Sequence, residues 1–218
     1  MSLMSGRADT PRRLLLAIVA AVLVLTGTAA TVARRRVSQQ QDAQQQVSQQ
    51  TGREAHSEVR VENFGRVNEN YYRGGQPRAE DYAALRRLGV KTVIDLRRDK
   101  KRDAPAWARE QGLQYFNLPL EAGKPANDTE TEQFLKLVND PANWPVYVHC
   151  KGGRHRTGAL TAVYRITHDG WTADQAFKEM LDYDFNNSIF GGGGRARQKR
   201  FVYDFYERHR AGVGQKEK

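Results

Sequence analysis

The sequence predicts an α/β domain built on a central, mostly parallel sheet flanked by helices, preceded by one N-terminal transmembrane helix. Three observations carry this. Short runs rich in β-branched residues alternate with longer runs of helical apolar spacing between residues 70 and 210, the pattern of a sheet covered on both faces. A glycine-rich basic decapeptide, HCKGGRHRTG from His149 to Gly158, directly follows one strand-like run and opens a helix-like one. Leu14 to Ala33, LLLAIVAAVLVLTGTAATVA, carries no charge and matches the roughly 20 residues a helix needs to cross a bilayer.

From the amino terminus, residues 1–13 read as a short tail and 14–33 as the span. Arg12 and Arg13 precede it and Arg34, Arg35 and Arg36 follow it, so positive charge at both ends leaves the orientation open, with a lean to an extracytoplasmic domain on a single-pass membrane protein. A secretory signal peptide competes, with Leu14 to Leu25 as its apolar core and Thr28-Ala29-Ala30 as a small-residue cleavage site. Residues 34–56 include VSQQQDAQQQVSQQ, a glutamine-rich stretch with too little apolar surface to fold alone. It reads as a disordered stalk, its alternative being a short coiled coil on Val37, Ala43 and Val47. Residues 57–212 form the folded domain and 213–218 a disordered tail.

Within the domain, Asn70 to Pro77 predicts a short strand entering a turn. Tyr82, Leu85 and Leu88 place a helix over 78–88, which Gly89 ends. Val90 to Leu96 (VKTVIDL) predicts a buried strand. Asp103 and Pro105 start a helix to about Gln111, and Leu113 to Leu118 is the next strand. Thr129 to Val138 predicts a helix with Phe134, Leu135 and Val138 inward. PVYVH, Pro145 to His149, suits a central parallel strand. Helices are expected over 157–168, over 172–181 with Thr172 and Gln175 as a capping box, and over 195–210 with Phe201, Val202, Phe205 and Tyr206 inward. Gly191 to Gly194 reads as a flexible break.

The 218 residues contain one cysteine, which excludes an internal disulfide and leaves a core thiol or a nucleophile. The formal charge of +10 favours anionic partners. Cys150 lies among glycines and bases rather than apolar neighbours. Gly152 and Gly153 let the backbone curl so that its N–H groups converge at a helix amino terminus, an anion-binding nest. Arg156 can grip two phosphate oxygens with its planar fork. The positive surroundings favour the thiolate of Cys150, which under a bound phosphate is placed for in-line attack on phosphorus. Thr157 is expected to donate to the sulfur and His149 to orient the loop. Lys151, Arg154 and His155 read either as solvated loop residues or as a mouth tuned to a polyanion. The basic residues lack the interleaved aromatic platform of a nucleic-acid binder, so no nucleic-acid partner is expected.

At this point His149-Cys150-x5-Arg156-Thr157-Gly158 resembles the signature of cysteine-dependent protein tyrosine and dual-specificity phosphatases. The full decapeptide is most similar to the plant and fungal atypical dual-specificity phosphatases and their bacterial relatives, whose loop runs HCxxGKHRTG; here Arg154 replaces the lysine. YYRGGQP and VKTVIDLR extend the resemblance over roughly Tyr71 to Asp182. Rhodanese loops are shorter, and arsenate reductases with a Cys-x5-Arg loop lack the His149 and Thr157-Gly158 frame. The resemblance implies a protein tyrosine phosphatase-like fold. It implies hydrolysis of phosphate monoesters on phosphotyrosine, phosphoserine or phosphothreonine proteins through a cysteinyl phosphate, with no metal or other cofactor. The atypical branch implies inositol polyphosphates or pyrophosphates as the alternative substrates. A membrane-tethered phosphate-binding adaptor without turnover is the reading from another class.

The resemblance also implies an aspartate on a neighbouring loop as general acid. Asp128 in LPLEAGKPANDTE, 22 residues before the cysteine, matches that place, although it fits a helix N-cap as well. Glu121 is the second candidate. Arg97 and Arg98 either reach the same mouth or pair with Asp99 and Asp103. Lys199, Arg200 and Arg208 read as a solvated helix face.

Overall fold

The computed structural model describes residues 58–99, 101–186 and 192–216. The expected span over 14–33 and the stalk over 34–56 lie outside the described residues. Among the described residues, no helix is long and apolar enough to cross a membrane.

Five strands form one mixed sheet: β1 (Gly65–Asn68), β2 (Tyr71–Gly74), β3 (Thr92–Arg97), β4 (Gln114–Leu120) and β5 (Val146–His149), in the order β1-β2-β5-β3-β4. β2, β5, β3 and β4 run parallel, and β1 pairs antiparallel with β2. The central position of β5 follows from its sequence, since VYVH is buried at all four residues. β1 is absent from the sequence expectation. Its four residues, GRVN, contain a single buried aliphatic side chain, Val67, too short a pattern to show period two.

Among the described residues there are six α-helices, α1 (Ala79–Arg87), α2 (Ala104–Glu110), α3 (Asp128–Asn139), α4 (Arg156–His168), α5 (Ala173–Asp182) and α6 (Gly192–Lys216). The strands alternate between two cores, as period two requires. Ile94, Leu96, Val146 and Val148 face Phe134, Leu160, Val163 and Met180. Val93 and Tyr147 face Tyr82, Leu85 and Ala108. α4 is buried from Arg156 to Tyr164, because α5 and α6 close over the side it turns from the sheet. α5 starts on the predicted box, with Thr172 Oγ1 accepting from Gln175 N and Gln175 Oε1 accepting from Thr172 N.

Two boundaries differ from expectation. α6 begins at Gly192, inside the glycine run read as a break, and runs to Lys216, past the tail boundary at 213. Glycine disfavours a helix by roughly 1 kcal/mol per residue against alanine, but contacts of the next turn anchor this end of the helix. Gln198 Nε2 donates to the Lys124 carbonyl at 2.7 Å and Arg197 Nη2 to the Gly123 carbonyl at 3.0 Å.

Candidate active site

Cys150 stands immediately after the central strand, 4% exposed, and the backbone of residues 151–155 bends into α4. Four successive loop carbonyls are held by donors outside the bend. His149 Nδ1 lies 3.2 Å from the Cys150 oxygen, which accepts the ring proton. Gln76 N donates to Lys151 at 3.0 Å, Asn63 Nδ2 to Gly152 at 2.8 Å and Arg73 Nη2 to Gly153 at 2.6 Å. Among the described residues, the amides of 151–155 donate to no protein acceptor. A loop with its carbonyls engaged and its N–H groups uncommitted offers an anion those N–H groups, as the nest predicted from Gly152 and Gly153 requires.

Gly153 shows why the sequence needs glycine there. Its φ is +69°, and a Cβ would lie 2.6 Å from the Gly74 carbonyl carbon and 2.7 Å from Gly75 N. The loop thus packs backbone to backbone against the end of β2, whose Gly74 pairs with His149 in the sheet.

Arg156 is the first residue of α4 and is buried. Its Nη1 donates to the Leu120 carbonyl at 3.1 Å and lies 3.4 Å from the Leu96 oxygen. The ends of β3 and β4 thereby aim the guanidinium at the loop. His149 is fully buried, and burial pushes its ring below the ordinary histidine range, with Asp95 at 3.9 Å opposing. It is a neutral brace of the loop. His155 is held by its Nε2 at 3.0 Å from the Phe185 carbonyl, and burial lowers it too. Thr157 is fully buried, but its Oγ1 has no hydrogen-bond partner. The expected bond to the sulfur is not made, because the first turn of α4 carries this side chain into the packed interior.

Cys150 and Arg156 open on a hollow of about 370 Å³. Its walls include Arg60, Arg78, Lys151, Arg154 and Arg195, against one carboxylate among the described residues, Glu62. Of these, Lys151 and Arg154 were legible from the loop. Arg60, Arg78 and Arg195 were not, since nothing local marks residues from three distant segments as neighbours. Arg154 sits 3.4 Å from Glu62 and 3.9 Å from Asp184, so part of its charge is already engaged.

Asp128 is not brought to this hollow. It lies in the first turn of α3, is 78% exposed, pairs with Arg208 at 3.3 Å and lines a separate surface depression. Nor is it the N-cap: Asn127 caps α3, its Oδ1 accepting from Glu130 N at 2.8 Å while Glu130 Oε2 accepts from Asn127 N at 2.8 Å. Glu121 pairs with Lys124 at 3.0 Å and Arg98 at 3.7 Å. Arg97 pairs with Asp99 at 3.2 Å, the second of the two readings open for it.

A mixed sheet with a cysteine after its central strand, an uncommitted amide nest and an arginine opening the next helix defines a cysteine-dependent phosphate-binding domain of the phosphatase type. The chain belongs to the family described as DSP-PTPase phosphatase fused to NAD+ kinase, whose model matches residues 45–203. It is 35% identical over 126 residues to the dual specificity protein phosphatase TpbA of Pseudomonas aeruginosa, covering 57% of this chain and 56% of that one. It is 31% identical over 122 residues to the inositol diphosphatase DSP4 of Arabidopsis thaliana, covering 54% and 61%. The chain thus spans little more than half the length of these curated relatives. Among solved structures, P. aeruginosa TpbA superposes with a TM-score of 0.54 at 30% identity, covering 66% of this chain and 91% of that one. The core catalytic domain of the PP-IP phosphatase SIW14 from S. cerevisiae, in complex with citrate, shares the fold with a TM-score of 0.60 at 23% identity, covering 72% and 93%.

Proposed function

We propose that this domain hydrolyses phosphate monoesters through a cysteinyl-phosphate intermediate. The observation that carries this is the loop whose four carbonyls are tied outward while Cys150 and Arg156 share one basic hollow. The phosphoryl group sits on the uncommitted amides with Arg156 across two of its oxygens. The Cys150 thiolate attacks phosphorus in line, an S–P bond forms, the bond to the leaving oxygen breaks, and that oxygen takes a proton. Water then attacks phosphorus, the S–P bond breaks, and inorganic phosphate and the thiolate return. Support comes from the named activity of TpbA, a dual-specificity protein phosphatase.

A second reading, inositol polyphosphate or pyrophosphate hydrolysis, is favoured by two observations. Arg60, Arg78 and Arg195 from segments beyond the loop add to the loop's own Lys151, Arg154 and Arg156 on the walls of the hollow, which suits a substrate with several phosphates. The candidate proton donors are not free at the hollow: Asp128 lies away from it and pairs with Arg208, Glu121 pairs with Lys124 and Arg98, and Glu62 on its wall pairs with Arg154. A leaving phosphate is a weak base and needs less proton donation than a serine or tyrosine oxygen. The named activity of DSP4 agrees with this reading.

The test uses the purified chain with a phosphotyrosine peptide and an inositol pyrophosphate side by side, and Cys150→Ser as the control. The wild type should release phosphate from at least one. Cys150→Ser should release none while still binding inorganic phosphate. Undiminished release by Cys150→Ser overturns the mechanism, and phosphate binding without release by the wild type supports the adaptor.

A further inference from the structure

Arg73, on β2, is fully buried. A guanidinium keeps its proton under all ordinary conditions, so a full positive charge lies inside the fold. Buried charges are normally paired, because an isolated one loses its hydration without return. Among the described residues, no carboxylate lies at ion-pair distance from Arg73. The acid whose charge reaches it, Glu179, gives its carboxylate to Arg165 at 2.6 Å. Nε and Nη1 of Arg73 have no hydrogen-bond partner. Its contacts are the Gly153 carbonyl at 2.6 Å from Nη2 and the face of Tyr183 at 3.9 Å. Tyr183 itself packs so closely over β1 that a Cβ on Gly65 would overlap its hydroxyl. The strand ladder sets the distance to the thiol, since Arg73 pairs with Val148 and Gly74 with His149, the residue before Cys150.

We propose that Arg73 is a positioning residue of the phosphate-binding loop: it holds the Gly153 carbonyl turned from the anion and supplies fixed positive charge to the Cys150 thiolate and its bound phosphate. This role rests on the phosphatase reading. Gly153 has positive φ, so its peptide planes are the ones freest to flip, and a flipped carbonyl would point at the anion the amides receive. Arg73 blocks that flip. Among the described residues, no carboxylate at ion-pair distance offsets this charge, so from behind the loop it acts through the low-dielectric interior on the thiolate and the anion the loop receives. Burial is the main influence pushing Arg73 below its ordinary value, and Cys150 is among the groups that offset it. A purely structural arginine, stacked on Tyr183, would leave the chemistry of Cys150 untouched.

The full chain carrying Arg73→Met or Arg73→Lys tests this by two readouts that need no turnover: the rate of Cys150 alkylation by iodoacetamide at neutral pH, and the orthovanadate concentration that protects against it. Folding is checked by thermal melt. Arg73→Met should slow alkylation about tenfold, the thiolate having lost a nearby cation, and should raise the protecting vanadate concentration by about tenfold. Arg73→Lys keeps the charge but not the fork. It should alkylate within about threefold of wild type while vanadate protection stays several-fold weaker. A folded Arg73→Met with wild-type alkylation and protection overturns the proposal. If Arg73→Met does not fold, Arg73→Lys decides: weakened protection supports it and unchanged protection overturns it. A wild type that neither binds vanadate nor releases phosphate overturns the phosphatase reading and this one together. A wild type that does both, beside an Arg73→Met that matches it, overturns only the role of Arg73.

Discussion

Gly153→Ala is the substitution whose effect the structure constrains most tightly. The added methyl would sit 2.6 Å from the Gly74 carbonyl carbon, where ordinary contact begins at 3.4 Å. Relief therefore needs a displacement of roughly 0.8 Å, and the neighbour is main chain in a paired strand, which cannot rotate aside as a side chain would. The positive φ adds its own penalty, about 1–2 kcal/mol for a residue with a Cβ. Together with the contact, about 2–3 kcal/mol of destabilisation is expected, in the range of strained functional-site backbones. For a domain of this size each kcal/mol lowers Tm by about 2–4 °C, so a fall of about 5–10 °C is expected by calorimetry or circular dichroism. If the loop moves instead, its amides leave the anion, and kcat/KM should fall by about a hundredfold, the scale of removing preorganised donors. Both measurements belong together, because the strain must appear in one or the other. A Gly153→Ala protein that melts within 1 °C of wild type and hydrolyses substrate within twofold of it would refute the packing and nest arguments alike.

Two further outcomes follow from the site. Asp128→Asn should lower kcat less than about threefold, equally for aryl phosphates with good and poor leaving groups, since an exposed ion pair contributes little; a selective loss on poor leaving groups would return Asp128 to the role of proton donor. The buried ring of His149 has its proton affinity lowered below the unfolded value near 6.5. The unfolded chain then binds more protons below about pH 6.5, so stability should be complete above that pH and fall as the solution is acidified. His155, also lowered by burial, adds to the same slope. Thermal melts between pH 8 and 5 check this, and a Tm that is flat or rises toward pH 5 would contradict the neutral, buried His149.

The succession of strands and helices from β2 onward, the buried strand β5 and the reactive loop were readable because their signals are local, whereas β1 was not. VYVH reads as a buried strand from its own four residues. The loop's function is written in ten contiguous positions whose geometry follows from glycine, arginine and a helix start. The capping box at Thr172 is likewise a matter of residues three apart. The uncharged run at 14–33 is also a purely sequential signal, lying outside the described residues.

What the sequence could not decide depends on which distant residues meet. The assignment of Asp128 from its spacing to Cys150 took a sequence interval as a spatial one. The capping of α3 by Asn127 and the partner on α6, Arg208, instead set where that carboxylate points. Arg60, Arg78 and Arg195 become walls of one hollow only when three distant segments meet beside the loop, and the helix that starts in the glycine run is anchored by the carbonyls of Gly123, Lys124 and Asn186. Nothing local in YYRG marks Arg73 as a buried charge. The pairing of β2 with β5 buried it, without a carboxylate, against the carbonyl of Gly153. Local propensity and contiguous motifs are properties of the chain. Burial, ion pairing and the convergence of charge arise from packing, and packing alone assigned those side chains their neighbours.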